Sequence, residues 1–154
     1  GIALPVAALV LVIALQRRKV VHQRAAVPIG SQAHIHPEHE ALRGHLVEGG
    51  DPAGFIIEFP DGLVVYQAGD TDVFGDMALI GEIYKPDVAV LPVGDHFTMG
   101  PRQAAHAVRL LGVKQVISGH FGTFPVLTGT PEALRALVPS TVEVPDMTPG
   151  ITLP

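Results

Sequence analysis

The sequence predicts an α/β layered domain, a mixed sheet with helices packed on it. Three observations predict this fold class. From about residue 49 onward, short apolar runs alternate with segments of helical periodicity. The run 87–93 is continuously apolar, which is typical of a strand buried on both faces of a sheet. Glycine and proline separate these segments and mark the turns between them.

The strands are predicted from apolar and β-branched runs bounded by turn residues. Four of them cover residues 55–59, 63–67, 87–93 and 113–118. The turn 60–62, Pro-Asp-Gly, joins the first two into a hairpin. All four are expected to be neighbours in one sheet. Two short closing strands are expected at 142–144 and 151–153.

The helices are predicted from apolar periodicity and from capping residues. They cover residues 75–84, 101–111 and 130–138. Pro101 and Pro131 each suit a first helical turn, where the missing N–H is not needed. Thr130 is the expected N-cap of the third helix, and Gly112 ends the second. The expected buried positions are Met77, Ile80 and Tyr84 on the first helix and Ala104, Ala105, Val108 and Leu111 on the second.

The first part of the chain does not continue this alternation. We therefore divide the chain into an atypical N-terminal segment, 1–44, and a main domain, 45–154. Short strands are expected at 20–21 and 25–29. The apolar stretch 1–15 is followed by three basic residues and permits three interpretations: a truncated membrane anchor, a buried structural segment, or foreign sequence. Because the chain begins with Gly1, we expect a processed form or a fragment.

Composition limits the possible functions. The 154 residues are 47% hydrophobic and 16% charged, enough for one domain with a real core. The net charge of −5 argues against nucleic acid as a partner. The absence of cysteine excludes disulfides and thiolate ligands, so any metal must be held by His, Asp, Glu and water. We expect a cytoplasmic protein, membrane-associated only if residues 1–15 are an anchor.

Polar turns follow three of the predicted strands. Asp70 ends one strand, His120 ends another, and a third turn carries Asp95 and His96. Each residue alone is more often structural than functional. Ligands of open α/β sheets, however, gather beyond the carboxyl ends of strands, where all three turns are expected. A carboxylate and an imidazole together suit zinc or manganese.

Several uncommon strings resemble the metallo-β-lactamase superfamily, and in particular its UlaG-like branch of metal-dependent hydrolases. They lie at residues 50–55 (GDPAGF), 68–71 (AGDT), 74–77 (FGDM), 84–87 (YKPD), 94–101 (GDHFTMGP) and 119–125 (GHFGTFP). The resemblance covers roughly residues 45–154. It implies the C-terminal half of an αββα sandwich and a hydrolase that uses metal-activated water, with Zn²⁺ as the first choice and Mn²⁺ or Fe²⁺ as alternatives. By this resemblance, Asp70 matches an aspartate that bridges two metals, and His120 matches the last metal-binding histidine.

The family's first-half HxHxDH signature is where this chain departs from the pattern. Residues 34–39 read His-Ile-His-Pro-Glu-His, but they lie shortly before Gly49, where the family carries a single histidine. One interpretation is that His34, His36 and His39 supply substitute metal ligands. A second is that His36 alone takes the single-histidine position. A third is a solvated loop with no fixed metal.

His96 is the second candidate catalytic residue, beside Asp70. A histidine at the mouth of the site would contact substrate or carry a proton, because its unperturbed pKa lies near neutrality. The structural alternative is a turn histidine, with Thr98 capping the helix that starts near Pro101. Asp95 is a candidate for orienting a ligand histidine.

These observations favour a metal-dependent hydrolase acting on a small molecule, whose identity the fold does not determine. The alternative is a truncated, catalytically inactive fragment or interaction module, because a binuclear site uses about five or six protein ligands and only Asp70 and His120 match. A membrane-tethered hydrolase is a third interpretation. A half-sandwich is expected to leave apolar surface uncovered and hence to form a homo-oligomer, unless residues 1–15 dock on it.

Overall fold

The computed structural model describes the backbone of residues 22–28 and the whole of residues 53–147. The strands in these ranges are β1 (His22–Pro28), β2 (Ala53–Glu58), β3 (Val64–Gln67), β4 (Val88–Pro92) and β5 (Gln115–Gly119). The helices are α1 (Met77–Tyr84), α2 (Pro101–Leu111) and α3 (Pro131–Arg135). The predicted alternation of strands and helices is therefore confirmed.

The five strands form one mixed sheet in the order β1-β2-β3-β4-β5. The pairs β1–β2 and β2–β3 are antiparallel, whereas β3–β4 and β4–β5 are parallel. The four strands predicted to be neighbours are neighbours. The predicted hairpin is also present, since the Phe59 N–H donates to the Leu63 carbonyl at 2.9 Å and Gly62 turns the chain with φ 89°.

The parallel pairs determine where the polar turns lie. α1 connects β3 to β4, and α2 connects β4 to β5. Parallel strands joined by such crossovers all end at the same edge of the sheet. The turns that follow β3, β4 and β5 are therefore side by side, as predicted.

Alternation along the strands divides the buried side chains between the two faces of the sheet. One face packs with the helices into the larger core, which includes Ile56, Tyr66, Met77, Leu91, Ala105, Val108, Val116 and Leu134. The other face carries a second apolar cluster, whose strand residues are Ile57, Val65, Val88, Val90 and Ile117. Each of these five is at most 8% exposed. The expected uncovered apolar surface and the expected homo-oligomer stay predictions, because they depend on whether residues 1–15, which lie outside the described residues, dock on the domain.

The predicted helix ends are mostly confirmed. The Gly112 N–H donates to the Val108 carbonyl at 3.0 Å with φ 68°, which closes α2. Thr130 Oγ1 accepts the Ala133 N–H at 3.2 Å at the start of α3. α3 is shorter than the predicted 130–138, however, and ends at Arg135. Pro139 disfavours a helical residue before it, so the chain leaves α3 through a tighter turn.

The closing strand predicted at 142–144 is wrong. Pairing with β5 is limited to one bridge at Glu143, whose N–H donates to the Lys114 carbonyl at 2.8 Å and whose carbonyl accepts the Val116 N–H at 2.9 Å. Pro145, the next residue in line to face β5, has no N–H to donate, and the Val144 carbonyl is bound by the Arg135 guanidinium, at 3.0 Å from Nε and 2.7 Å from Nη2. The other closing strand, 151–153, lies outside the described residues.

Of the N-terminal segment, the structure describes the backbone of β1, which overlaps the strand predicted at 25–29. The strand predicted at 20–21 lies outside the described residues, and the domain boundary near residue 45 stays a prediction. Spanning a bilayer takes about 20 apolar helical residues, and no helix in the described ranges has the length and hydrophobicity to do so.

Candidate metal centre

Asp70 is carried past the sheet edge by a glycine turn. The Ala68 N–H donates to the Val90 carbonyl at 3.1 Å and so extends the pairing of β3 with β4. Gly69 then adopts φ 72°, a left-handed conformation that costs glycine little. The strand therefore ends abruptly, and the Asp70 side chain is left 59% exposed.

His120 is placed at the same edge by the end of β5. The Val93 N–H donates to the Gly119 carbonyl at 3.0 Å, which ties the ends of β4 and β5 together. His120 itself is left-handed, with φ 51°. Its carbonyl oxygen passes so close to Gly94 that a Cβ there would lie 2.0 Å from it. The position of His120 therefore depends on a glycine in the neighbouring turn.

Asp70 and His120 are in direct contact. His120 Nδ1 lies 3.1 Å from Asp70 Oδ1, although the two residues are 50 positions apart in the chain. Because a carboxylate only accepts hydrogen bonds, Nδ1 carries the proton. Nε2 points away from Asp70 and takes no part in this contact.

The contact also changes the acidity of the histidine. The hydrogen bond with Asp70 raises the pKa of His120 above its usual value, and the negative charge of Asp70 adds to this. Partial burial acts in the opposite direction and lowers the pKa. The hydrogen bond is the largest of the three effects.

The two side chains open onto a shallow cleft at the sheet edge. Its polar lining is Gln67, Asp70 and His120, and the rest is supplied by Gly69, Val90, Leu91, Pro92 and Gly119. The sequence prediction that one carboxylate and one imidazole meet in a single cleft agrees with this geometry.

The donor set fits a divalent metal only in part. A carboxylate oxygen and an imidazole nitrogen are normal zinc ligands, and four ligands complete a tetrahedral site. Within the described residues, no three His, Asp or Glu side chains come close enough to hold an ion together. Asp70 and His120 therefore do not complete a tetrahedral metal site by themselves within the described residues.

Buried polar atoms that lack partners are concentrated near the same edge. Within the described residues, the buried side-chain atoms without a hydrogen bond are Tyr66 OH, Gln67 Oε1, Thr98 Oγ1 and Ser118 Oγ. All four residues lie in or next to the ends of β3 and β5 or in the turn after β4. Burial raises the pKa of Tyr66 to about 12. Of these four residues, Gln67 is the one that also lines the cleft of Asp70 and His120.

His96 lies in the turn between β4 and α2 and is exposed. Asp95 and His96 are consecutive left-handed residues, with φ 67° and 62°, and Asp95 Oδ1 accepts the His96 N–H at 2.9 Å. The turn is tied to the Asp70 turn, since the Met99 N–H donates to the Thr71 carbonyl at 3.0 Å. His96 is thus close to the site in the fold but is not part of the Asp70–His120 pair.

The structural alternative for this turn is wrong in one respect. Thr98 does not cap α2: the N-cap is Gly100, and Thr98 Oγ1 makes no hydrogen bond within the described residues. The remaining predicted ligands, His34, His36 and His39, lie outside the described residues.

Two residues that matter at this site were missed in the sequence. Gln67 lines the cleft, and its only sequence signal is a polar side chain at the end of an apolar strand. Gly94 supports His120, and its only signal is a glycine within the turn after β4.

A family model described as a beta-lactamase superfamily domain matches residues 8–121 of the chain. The chain is 66% identical over 87 residues to a UPF0173 metal-dependent hydrolase from Herpetosiphon aurantiacus, covering 56% of this chain and 36% of that protein. It is 61% identical over 89 residues to a UPF0173 metal-dependent hydrolase from Rubrobacter xylanophilus, covering 58% and 37%.

Among solved structures, the fold is similar to that of Igni18, a novel metallo hydrolase from the hyperthermophilic archaeon Ignicoccus hospitalis. The TM-score is 0.62 at 43% sequence identity, and the match covers 68% of this chain and 46% of that one. The chain thus spans less than half the length of each of these three proteins.

Proposed function

The chain belongs to the metallo-β-lactamase superfamily, and we propose that it contributes Asp70 and His120 to the divalent-metal site of a hydrolase. The observation that carries this proposal is the 3.1 Å contact between these two side chains beyond the ends of β3 and β5. The names of the relatives support it, since they are metal-dependent hydrolases. From the strings in residues 50–125, we infer the UlaG-like branch.

In this proposal Asp70 and His120 are metal ligands, and Zn²⁺ is the first choice, with Mn²⁺ and Fe²⁺ as alternatives. A bound divalent ion would supply Lewis acidity, which lowers the pKa of water and polarises a carbonyl or phosphoryl group of the substrate. In the metal-free chain the hydrogen bond to Asp70 holds the His120 ring beside the carboxylate, and an ion shared by the two side chains would displace the proton from Nδ1.

The missing ligands are assigned to the histidine cluster of residues 34–39. His36 is the first candidate, because its distance in sequence from Gly49 best fits the single histidine of the family pattern. His34 and His39 are the further candidates. A site built in this way would combine the exposed turns of the sheet edge with ligands from the N-terminal segment.

His96 is proposed to carry a proton or to contact the substrate. It is exposed in the turn beside Asp70, and its ring meets Phe97 edge-on with centroids 4.3 Å apart. Two left-handed residues in succession fix the backbone of this turn. Strained backbone of this kind often occurs at functional sites.

Metal removal and restoration test the proposed hydrolase. The chain is freed of metal with a chelator, reloaded with Zn²⁺, Mn²⁺ or Fe²⁺, and assayed on a panel of lactones, thioesters and phosphodiesters. Hydrolysis should be lost with the metal, return with one of the ions, and fall by at least about 100-fold in Asp70→Asn. The control is Asp76→Asn, which changes an exposed aspartate outside the cleft. Equal hydrolysis by wild type and Asp70→Asn would contradict the proposal.

The second candidate is an inactive fragment or interaction module. The observation that favours it is that the described residues bring together only two candidate metal ligands, fewer than a metal site normally uses. This candidate predicts that the purified chain retains no metal and hydrolyses no compound of the panel. Both results would distinguish it from the proposed hydrolase.

A further inference from the structure

Exposed apolar side chains lie on the turns beside Asp70 and His120. Within the described residues, three of the exposed large hydrophobic residues follow β4 or β5 at the edge that carries this pair: Phe97, Phe124 and Val126. Phe124 is 64% exposed and Val126 is 45% exposed. Apolar surface left open beside a polar cleft is typical of a place where a ligand binds.

A short turn holds Phe124 and Val126 in place. The Leu127 N–H donates to the Phe124 carbonyl at 3.0 Å, and Pro125 occupies the first central position, which suits its fixed φ. Leu127 is buried and anchors the turn, whereas Phe124 and Val126 are exposed. Because the turn is fixed before any ligand arrives, little conformational freedom is lost when a ligand covers it.

This turn is packed against the turn that positions His120. The Gly129 N–H donates to the Gly94 carbonyl at 3.1 Å. A Cβ at Gly94 would lie 3.3 Å from Leu127 Cβ and 2.0 Å from the His120 carbonyl oxygen. The anchor of the turn and the backbone of His120 therefore meet at one glycine. The pair of Phe124 and Val126, which we call the apolar rim, thus flanks the Asp70–His120 site.

The turns at this edge carry no permanently positive side chain. Neither lysine nor arginine occurs in the turns after β3, β4 and β5, at residues 68–76, 93–100 and 120–130. The same turns carry exposed aspartates: Asp70, Asp72, Asp76 and Asp95. The nearest cation along the chain is Arg102, in the first turn of α2. Sites for phosphate or carboxylate groups normally supply arginine or lysine, so these turns disfavour an anionic ligand.

The cleft is too small to enclose more than a reacting group. Its volume is about 10 Å³, enough for about one water molecule. The rest of a bound molecule must therefore lie on the surrounding turns. A phosphodiester would bring a negative charge to the aspartates of these turns, whereas a lactone or thioester carbonyl would not.

We propose that the substrate of the Asp70–His120 site is a neutral carbonyl compound whose apolar substituent lies on the apolar rim. This inference rests on the proposed function and narrows its substrate class. Phosphodiesters and compounds that carry a carboxylate fall outside the class. The carbonyl lies at the cleft, and Phe124 and Val126 select for the substituent.

Binding of small amides tests the ligand class without metal or turnover. Acetamide, hexanamide and hexanoate are titrated into the metal-free 154-residue chain and followed by the NMR signals of residues 121–129. Hexanamide should bind at least about 10-fold more tightly than acetamide, since each of its four further methylenes, half-buried on the apolar rim, contributes roughly a factor of two. Hexanoate should bind about 2–5-fold more weakly than hexanamide, the size typical of interactions between exposed charges.

Three variants locate the binding surface. Phe124→Ser should reduce the preference for hexanamide over acetamide to less than about 3-fold. Ile83→Ser is the matched control, because Ile83 is 65% exposed but lies at the end of α1 that leads to the start of β4. It should keep the full preference. Arg102→Gln should leave the affinities for all three probes unchanged.

Hydrolysis by the Zn²⁺-loaded chain is the second readout. γ-Octalactone, which has four more carbons than γ-butyrolactone, should show a KM at least about 10-fold lower. Phe124→Ser should remove most of this difference, and Ile83→Ser should keep it. Faster hydrolysis of a phosphodiester than of either lactone would overturn the inference while supporting the hydrolase.

The outcomes separate the inference from the proposed function. Equal affinity for acetamide and hexanamide would overturn the inference alone, as would a preference for hexanoate that is lost in Arg102→Gln. A wild-type dimer that dissociates in Phe124→Ser would also overturn it, because the apolar rim would then bind a second copy of the chain. If Phe124→Ser does not fold, Val126→Ser takes its place. Tight binding of hexanamide without hydrolysis of any compound would instead overturn the proposed function.

Discussion

Replacing Gly94 with alanine tests whether the turn that follows β4 holds His120 in place. A Cβ at Gly94 would lie 2.0 Å from the His120 carbonyl oxygen, whereas ordinary contact begins at 3.4 Å. The two turns must therefore separate by about 1.4 Å (3.4 − 2.0), a shift that no rotamer change can avoid because both atoms are fixed to the backbone.

The size of the effect follows from this geometry. Overpacking typically costs about 1–3 kcal/mol, and a clash between fixed atoms belongs in the upper half of that range. For a chain of this size, about 2–3 kcal/mol lowers the unfolding temperature by roughly 4–12 °C. The same displacement would stretch the 3.1 Å contact between His120 Nδ1 and Asp70 Oδ1 beyond hydrogen-bond length.

Thermal unfolding of the metal-free chain, followed by circular dichroism, measures the first effect, and Zn²⁺ titration measures the second. Gly75→Ala is the matched control: within the described residues a Cβ there would meet no atom within 4 Å, and its φ is not left-handed. That variant should be unchanged or slightly more stable. Unfolding of Gly94→Ala at the same temperature as Gly75→Ala would refute the reasoning.

Two further predictions concern ionisation and burial. In the metal-free chain, Asp70→Asn should lower the pKa of His120, as measured by NMR titration of the ring, because the hydrogen bond to a charged acceptor is lost. Because the pKa of His120 is raised in the folded chain, protonation of the ring stabilises the fold below the unfolded-state pKa of 6.5, and this stabilisation is lost above the folded-state pKa. The variant should therefore lose stability near pH 5.5 but not near pH 8.5. A His120 pKa that is the same in Asp70→Asn and wild type would contradict this prediction. Tyr66→Phe should leave the unfolding temperature unchanged or raise it, because Tyr66 OH is buried and unpaired within the described residues. A drop equivalent to more than about 1 kcal/mol would show that the hydroxyl has a partner.

The sheet and the Asp70–His120 pair could be predicted because they follow from local patterns. Continuous apolar runs separated by helices predict parallel strands, and parallel strands end at one edge. Asp70 and His120 each come directly after such a strand. Their meeting across 50 positions therefore needs no knowledge of the tertiary packing.

Other features depend on contacts that no local pattern encodes. Gly94 is required by the path of the His120 backbone, 26 positions later in the chain (120 − 94). Gln67 matters because its oxygen is buried in the cleft, whereas its sequence position is that of an ordinary strand end. The strand predicted at 142–144 is reduced to a single bridge at Glu143, because Pro145, the next residue in line to face β5, has no N–H to donate.

The most direct test of the central claim is the position of the metal. Crystals of the chain grown with Zn²⁺ and measured at the zinc absorption edge locate the ion by its anomalous scattering. The proposed site predicts a peak about 2.0–2.2 Å from an Asp70 carboxylate oxygen and from a His120 ring nitrogen. The same peak should be absent from crystals of Asp70→Ala. A zinc ion bound away from both side chains, or one that persists in Asp70→Ala, would contradict the proposed metal centre.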